Sequence, residues 1–238
     1  MHQFFSGCND VNLDIVGIQE HRLITSSPTD ELWSDDKNWV VIYSSATDQR
    51  YGGVGLAMTK HIHRCLQSVQ SINQRILTVT FHGNPRVTVT VVYAPTESAS
   101  DAHKDEFYDS LKEHLEAVKK HDIHLLIGDF NARIGKDSHL SNPVVIGPHC
   151  YHEETNTNGE RLVSLCEEFQ LRPAQARFPQ PSSRLWTWMH PNGTKSQLDH
   201  IIINSKWMNS LRNCRAYNSV EIDSDHRILS VVLKASLL

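Results

Sequence analysis

Short apolar runs rich in β-branched residues recur along this chain, each closed off by Gly, Asn, Pro or Ser. Val40-Val41-Ile42-Tyr43, Gly55-Leu56-Ala57-Met58, Ile76 to Phe81 and Val87 to Tyr93 read as strands. So do Asp14 to Ile18, Leu125 to Ile127, Leu198 to Ile203 and Ile228 to Leu233. His82-Gly83-Asn84-Pro85 is turn chemistry between two of them and predicts a hairpin over residues 76–93. A different period appears twice. Phe107, Leu111, Leu115 and Val118 share one face in a charged background and predict a helix over 102–121. Leu162, Leu165, Cys166 and Phe169 predict another over 159–170, with Asn158 as N-cap and Glu160 in its first turn. No repeat, low-complexity tract or composition break interrupts the alternation. One α/β domain over 1–238 is the expectation.

Polar residues cluster where the strands end. Ile123 to Ile127 delivers Gly128-Asp129-Phe130-Asn131, an acid and an amide two residues apart, which an extended exit would put on one side. A carboxylate there takes a proton or holds a metal-bound water, and an amide donates to a phosphate oxygen without adding charge. Asp14 to Ile18 delivers Gln19-Glu20, where Glu20 is either a solvated surface charge or a ligand for a hard dication. Asp199 opens an apolar strand, as a cap or as a functional acid. Asp225-His226 precedes the last strand, and a histidine whose second nitrogen meets a carboxylate has its tautomer fixed. The connections 134–157 and 171–184 are long and polar beside these residues, as functional loops are.

Composition narrows the classes. With 238 residues, 39% hydrophobic and 21% charged, the chain has the make-up of an ordinary soluble globular protein. A formal charge of −4 argues against a polycation that coats nucleic acid, while leaving room for an acidic metal site with basic walls. The cysteines are five, scattered and without a CxxC, which fits free thiols in a reducing compartment. His149-Cys150-Tyr151-His152 lacks a second ligand pair at zinc spacing and reads as an ordinary loop. No apolar run approaches the ~20 residues that span a bilayer, and Met1 to Cys8 lacks the basic start and apolar core of a secretory signal. A nuclear or cytoplasmic location, away from membranes, is expected.

Taken together, Gln19-Glu20, Tyr93-Ala94-Pro95-Thr96, Gly128-Asp129-Phe130-Asn131, Leu198-Asp199-His200-Ile201 and Ser224-Asp225-His226 form an ordered set. That order resembles the endonuclease/exonuclease/phosphatase superfamily, the DNase I-like metal phosphoesterases, and Gly52-Gly53-Val54-Gly55 adds to it. Within the superfamily, Asn131 to Gly135, Asn158 to Leu162, and Thr187-Trp188 followed by Gln197 to Ile201 look most like the apurinic/apyrimidinic-type endonuclease domain of non-LTR, RTE-like retrotransposons. The resemblance implies a four-layer α/β sandwich, two packed mixed sheets flanked by helices. It implies hydrolysis of a DNA phosphodiester with Mg²⁺ (or Mn²⁺), and a reverse transcriptase as partner if the chain belongs to a longer polyprotein.

Roles follow from the same likeness. Glu20 would hold the metal, Asp225 aid it through water, and Asp129 orient or deprotonate the attacking water. Asn131 would fix water and phosphate, Tyr93 donate its phenol to phosphate, and His226, paired with Asp199, donate to a nonbridging oxygen. Arg133, Thr187 and Trp188 would contact substrate. Two other readings keep the sequence: a phosphomonoesterase or RNA deadenylase of the same superfamily, or a catalytically impaired transposon-derived interaction module. The family's opening strand carries a Trp-Asn motif that no residue before Glu20 matches. A domain lacking that N-terminal strand, with impaired activity, is therefore expected, and only the end of the helix that follows it.

Overall fold

The structure is a computed structural model that describes residues 2–46, 52–217 and 224–234. These form two compact units. Among the described residues the first holds 2–46, 52–93 and 119–128, and the second holds 94–118, 129–217 and 224–234.

The first unit is built on β-structure. It opens with helix α1 (His2–Asp10), where the resemblance had implied a remnant. Phe5 and Cys8 of α1 are buried. The Phe5 ring stacks on Trp39 with centroids 5.5 Å apart, and Asn9 Oδ1 accepts the Trp39 indole N–H at 3.0 Å. No strand precedes β1 (Ile15–Gln19) among the described residues. β1 joins β2 (Thr29–Trp33), β3 (Trp39–Ser44) and β4 (Val54–Thr59) in an antiparallel sheet of order β1-β4-β3-β2. The short helix α2 (Lys60–His63) follows, capped by Thr59. Then β5 (Leu66–Asn73), β6 (Ile76–Phe81), β7 (Val87–Tyr93) and β8 (Ile123–Asp129) lie side by side in that order. The expected hairpin is there: β6 and β7 pair antiparallel from Ile76↔Val92 to Phe81↔Val87. Val40, Ile42, Leu56 and Met58 from one set of strands meet Leu77, Val79, Val89 and Val91 from the other, in one apolar core. Burying such side chains is worth roughly 1.5–3 kcal/mol each, so this core carries the unit.

Two strands here escape the hydrophobic pattern. β2 and β5 lie at sheet edges, and their sequences TDELW and LQSVQSIN are mostly polar. These two expose much of their surface, so no apolar run marks them, whereas β1, also at an edge, keeps the apolar sequence IVGIQ.

The second unit carries the longer helices. Helix α3 (Asp101–Ala117) starts at Ser100, whose side chain caps it. It stops one turn earlier than its periodicity predicts, because Val118 is already extended; Lys119-Lys120-His121 is turn, not helix end. The loop beyond Asn131 contains a short helix, α4 (Lys136–Ser141). Helix α5 (Thr157–Glu168) is capped by Asn156 rather than Asn158, since Asn156 Oδ1 accepts the Gly159 N–H. α3 and α5 pack together, and Phe107, Tyr108, Leu111, Leu162 and Leu165 on these helices are all buried. β9 (Leu171–Pro173) pairs with β12 (Asp199–Asn204), β10 (Trp188–Met189) with β11 (Lys195–Ser196), and β13 (Leu211–Ala216) with β14 (Leu229–Leu233). β13, with Arg212, Asn213 and Arg215 among its residues, is another polar strand in a two-stranded pair that periodicity misses. Among the described residues no helix is long and apolar enough to cross a membrane.

Candidate active site

Eight of the expected residues, Asp129, Asn131, Arg133, Thr187, Trp188, Asp199, Asp225 and His226, belong to the second unit. Asp129 ends β8. Its backbone is held on two sides: its carbonyl accepts the Ala94 N–H at 2.8 Å, and the next N–H, of Phe130, donates to Leu198 O at 3.1 Å. Phe130 is fully buried and anchors the turn. The exit is not extended. Asn131 takes φ 48, in the left-handed region, and its N–H donates back to Asp129 Oδ1 at 2.8 Å. Its side-chain amide donates to Ala94 O at 3.0 Å. Acid and amide are thus brought together by an Asx-type turn, not by alternation along a strand as the sequence suggested. Gly128 is fixed by close packing. At φ +143 it lies against β7, where a Cβ would sit 2.0 Å from Val92 O, so only glycine fits.

Asp199 begins β12, and its position is set by Thr187. The Thr187 hydroxyl accepts the N–H groups of Leu198 (3.0 Å) and Asp199 (3.1 Å) and is fully buried. Thr187 therefore shapes the site from beneath instead of presenting its hydroxyl to substrate. Around it, residues 187–189 and 225–227 run as partners: Arg227 N–H donates to Thr187 O, and Met189 N–H to Asp225 O. That pairing delivers His226. Its Nδ1–H donates to Asp199 Oδ2 at 2.9 Å, with the side chains 29% and 14% exposed. Burial works against a charged imidazole here. The Asp199 carboxylate outweighs it, by charge and by hydrogen bond, with Asp129 and Asp225 adding their charges, so the pKa rises from 6.5 to about 9. His226 is an imidazolium at neutral pH, with Nε2 as its remaining donor.

Trp188 lies beside this pair. Its indole N–H donates to Asp225 Oδ2 at 2.8 Å, and its ring centroid is 6.5 Å from that of His226. Arg133 is exposed. The sequence reading missed His200, fully buried next to Asp199. Its Nε2–H donates to Ala132 O at 2.8 Å while Nδ1 accepts from Gln175, tying β12 to the turn after Asp129; burial keeps it neutral. An adjacent Asp-His dipeptide was visible, but nothing in the pattern said which way it points. His152, in the loop first weighed for zinc, accepts the Gln197 N–H at Nε2.

The first unit holds the remaining pair. Glu20 follows β1 at φ 54 and is exposed, with its side chain 44% accessible. Its Oε1 accepts the Tyr93 hydroxyl in a short hydrogen bond, and Arg22 lies 3.7 Å from Oε2. Tyr93 ends β7. Arg75 secures it, with the guanidinium 5.0 Å from the ring centroid and Nη1 donating to Tyr93 O at 3.0 Å. Among the described residues no group of three His, Cys, Asp or Glu side chains is placed to enclose a metal. An exposed carboxylate steadied by a phenol fits a different kind of binding: a hydrated hard cation held by one or two carboxylates, water and phosphate.

The chain belongs to the Endonuclease-reverse transcriptase family, whose model matches residues 87–230. Its motifs and fold are those of the DNase I-like superfamily, an α/β sandwich of mixed sheets with helices. Among curated proteins it is similar to craniofacial development protein 2 of Bos taurus, at 32% identity over 229 residues. That match takes in 95% of this chain and 37% of the relative, so the chain spans well under half of that protein's length. A 3'-5' exonuclease, NExo, from Neisseria meningitidis has the same fold, with TM-score 0.69 at 20% identity over 98% of this chain and 94% of that one. So does the endonuclease domain of TRAS1, a telomere-specific non-LTR retrotransposon, with TM-score 0.66 at 12% identity over 99% and 93%.

Proposed function

We propose that the chain is a divalent-metal-dependent phosphodiesterase that nicks DNA, in the manner of a retrotransposon endonuclease domain. The observation that carries this reading is the Asp199–His226 ion pair beside Asp129. Hydrolysis of a phosphodiester needs an activated water and a way to offset charge building on the phosphoryl oxygens. Asp129, with its Oδ1 already engaged by the Asn131 N–H, orients the water and takes its proton. His226, kept protonated by Asp199, donates from Nε2 to a nonbridging oxygen as that oxygen gains charge. Asn131 steadies the phosphate, and Thr187 holds Asp199 in register. Trp188 offers an apolar ring for a base or sugar, with Arg133 reaching a backbone phosphate. Glu20 would hold Mg²⁺ (or Mn²⁺), and a cation held there would supply charge neutralisation at a phosphate; Asp225, in the second unit, would aid a cation through water. Tyr93 orients the Glu20 carboxylate and lends its phenol to the same end.

Family membership supports nuclease chemistry over other uses of the fold, and the likeness to an exonuclease and to a retrotransposon endonuclease domain supports a nucleic-acid substrate. The test is conversion of supercoiled plasmid to open circle with Mg²⁺, with chelator as control, beside abasic DNA, poly(A) and an inositol polyphosphate. Metal-dependent nicking with the last two untouched supports the reading. Turnover of poly(A) or inositol phosphate alone moves the chain to another phosphoesterase class, and inertness toward all four leaves an interaction module.

A further inference from the structure

We infer that Asn158, backed by Glu97, is a positioning residue for Asn131, an inference that rests on the phosphoesterase reading above. Asn131 carries out its part from a left-handed backbone conformation, φ 48, which asparagine tolerates better than most residues and which neighbouring contacts can select. Those contacts come from the first turn of α5. Asn158 Nδ2 donates to Asn131 O at 3.2 Å and to Pro95 O at 3.0 Å, so one amide group ties Asn131's own carbonyl to the neighbouring 94–95 segment. Asn156 Nδ2 donates to the same Asn131 carbonyl at 3.3 Å. Asn131's own amide closes the loop onto Ala94 O.

Glu97 holds this clamp in place. Its Oε2 accepts Asn156 Nδ2 (2.8 Å) and the Asn158 N–H (3.2 Å), and its Oε1 accepts the Thr157 hydroxyl (2.7 Å) and N–H (3.2 Å). A carboxylate at a helix start is favoured by the dipole as well as by these donors. One residue on, α5 meets the loop so closely that a Cβ on Gly159 would lie 2.1 Å from Arg133 O.

The chemistry of Asn158 separates positioning from packing. Its side chain is fully buried, and Oδ1 has no partner among the described residues. Burying an unpaired acceptor is costly, and an apolar residue of similar size would avoid it. The amide is retained for its two N–H donors, and since both partners are carbonyls the orientation of the group is fixed. Because Asn156 does the capping, Asn158 is free for this task.

The experiment is steady-state plasmid nicking with Mg²⁺ by the wild type, Asn158→Ala, Asn131→Ala and the double variant. Asn158→Ala is expected to lower kcat about 100-fold, as ångström-scale misplacement does, with KM for DNA changed less than about threefold. The double variant is expected to be no slower than Asn131→Ala alone, because the two act as one unit. Losses that multiply, or a kcat unchanged in Asn158→Ala, overturn the inference. A second arm needs no activity: the ³J(HN,Hα) coupling and Cα shift of Asn131, which report its left-handed φ, should change in Asn158→Ala and are expected to stay put in Arg133→Ala. Retention of the wild-type values in Asn158→Ala overturns the inference too. A wild type that does not nick defeats the DNA-nicking reading, while the spectroscopic arm still decides the clamp. Should Asn158→Ala not fold, Glu97→Gln takes its place in both arms, with a kcat loss of about tenfold expected.

Discussion

The two units hold their polar residues in opposite ways. In the second, Asp129, Asn131, Asp199 and His226 are fixed by side-chain hydrogen bonds, and all four are buried or half-buried. In the first, Glu20 stands exposed at a strand end, joined to Tyr93 and near Arg22. The difference matches the tasks proposed for them. A proton donor and a water-orienting acid need fixed geometry and shifted protonation, which low-dielectric surroundings and paired charge supply. A carboxylate for a hydrated cation needs access and modest restraint. Substitutions in the second unit should therefore change rate and stability together, and those in the first should change metal dependence with little effect on folding.

Asp199→Asn presses hardest on the buried side. It removes the charge that keeps His226 protonated, and nicking should fall by about 10²–10⁴-fold, the usual range for a lost acid–base pairing. A loss of stability in urea should accompany it. A variant with near wild-type rate would mean the pair is only structural.

Glu20→Gln tests the exposed side. The Mg²⁺ concentration for half-maximal nicking should rise about tenfold or more, the scale on which loss of a group supporting a metal is felt, and the urea midpoint should hardly move. An unchanged metal requirement would take the cation away from Glu20; a large fall in stability would break the contrast between the units.

The smallest effect is on pH. The folded-state pKa of His226 is raised, so its pairing stabilises fully below about 6.5, the ordinary imidazole value, and that stability is lost as pH rises through about 9. Denaturation of wild type and His226→Gln between pH 6 and 10 should show a gap that narrows on the alkaline side. A gap independent of pH would mean that the imidazole is not charged in the native state.

The same contrast explains what was legible in the sequence. Strands with apolar faces, from Trp39–Ser44 to Asp199–Asn204, announced themselves because burial dictates their residues. Thr29–Trp33, Leu66–Asn73 and Leu211–Ala216 did not, being polar strands at edges or in a two-stranded pair. At the site, Asp129, Asp199 and His226 could be named from their places at strand ends. Their supporting residues could not. Thr187 looks like a substrate contact until its hydroxyl is seen accepting two main-chain N–H groups. Asn158 looks like the N-cap of α5 in the sequence, and only the contacts of α5 with residues 131–133 show that Asn156 is the cap and Asn158 has other work. Such roles depend on contacts between residues far apart in the chain, which no local pattern records.

The most direct measurement is single-turnover nicking of supercoiled plasmid in Mg²⁺ by wild type and Asp129→Ala, both shown folded by circular dichroism. The account predicts metal-dependent open circle from the wild type and a rate lower by about 10³-fold or more in the variant, the scale of losing the group that activates the water. Equal rates from the two proteins, or no metal-dependent cleavage by the folded wild type, would contradict it.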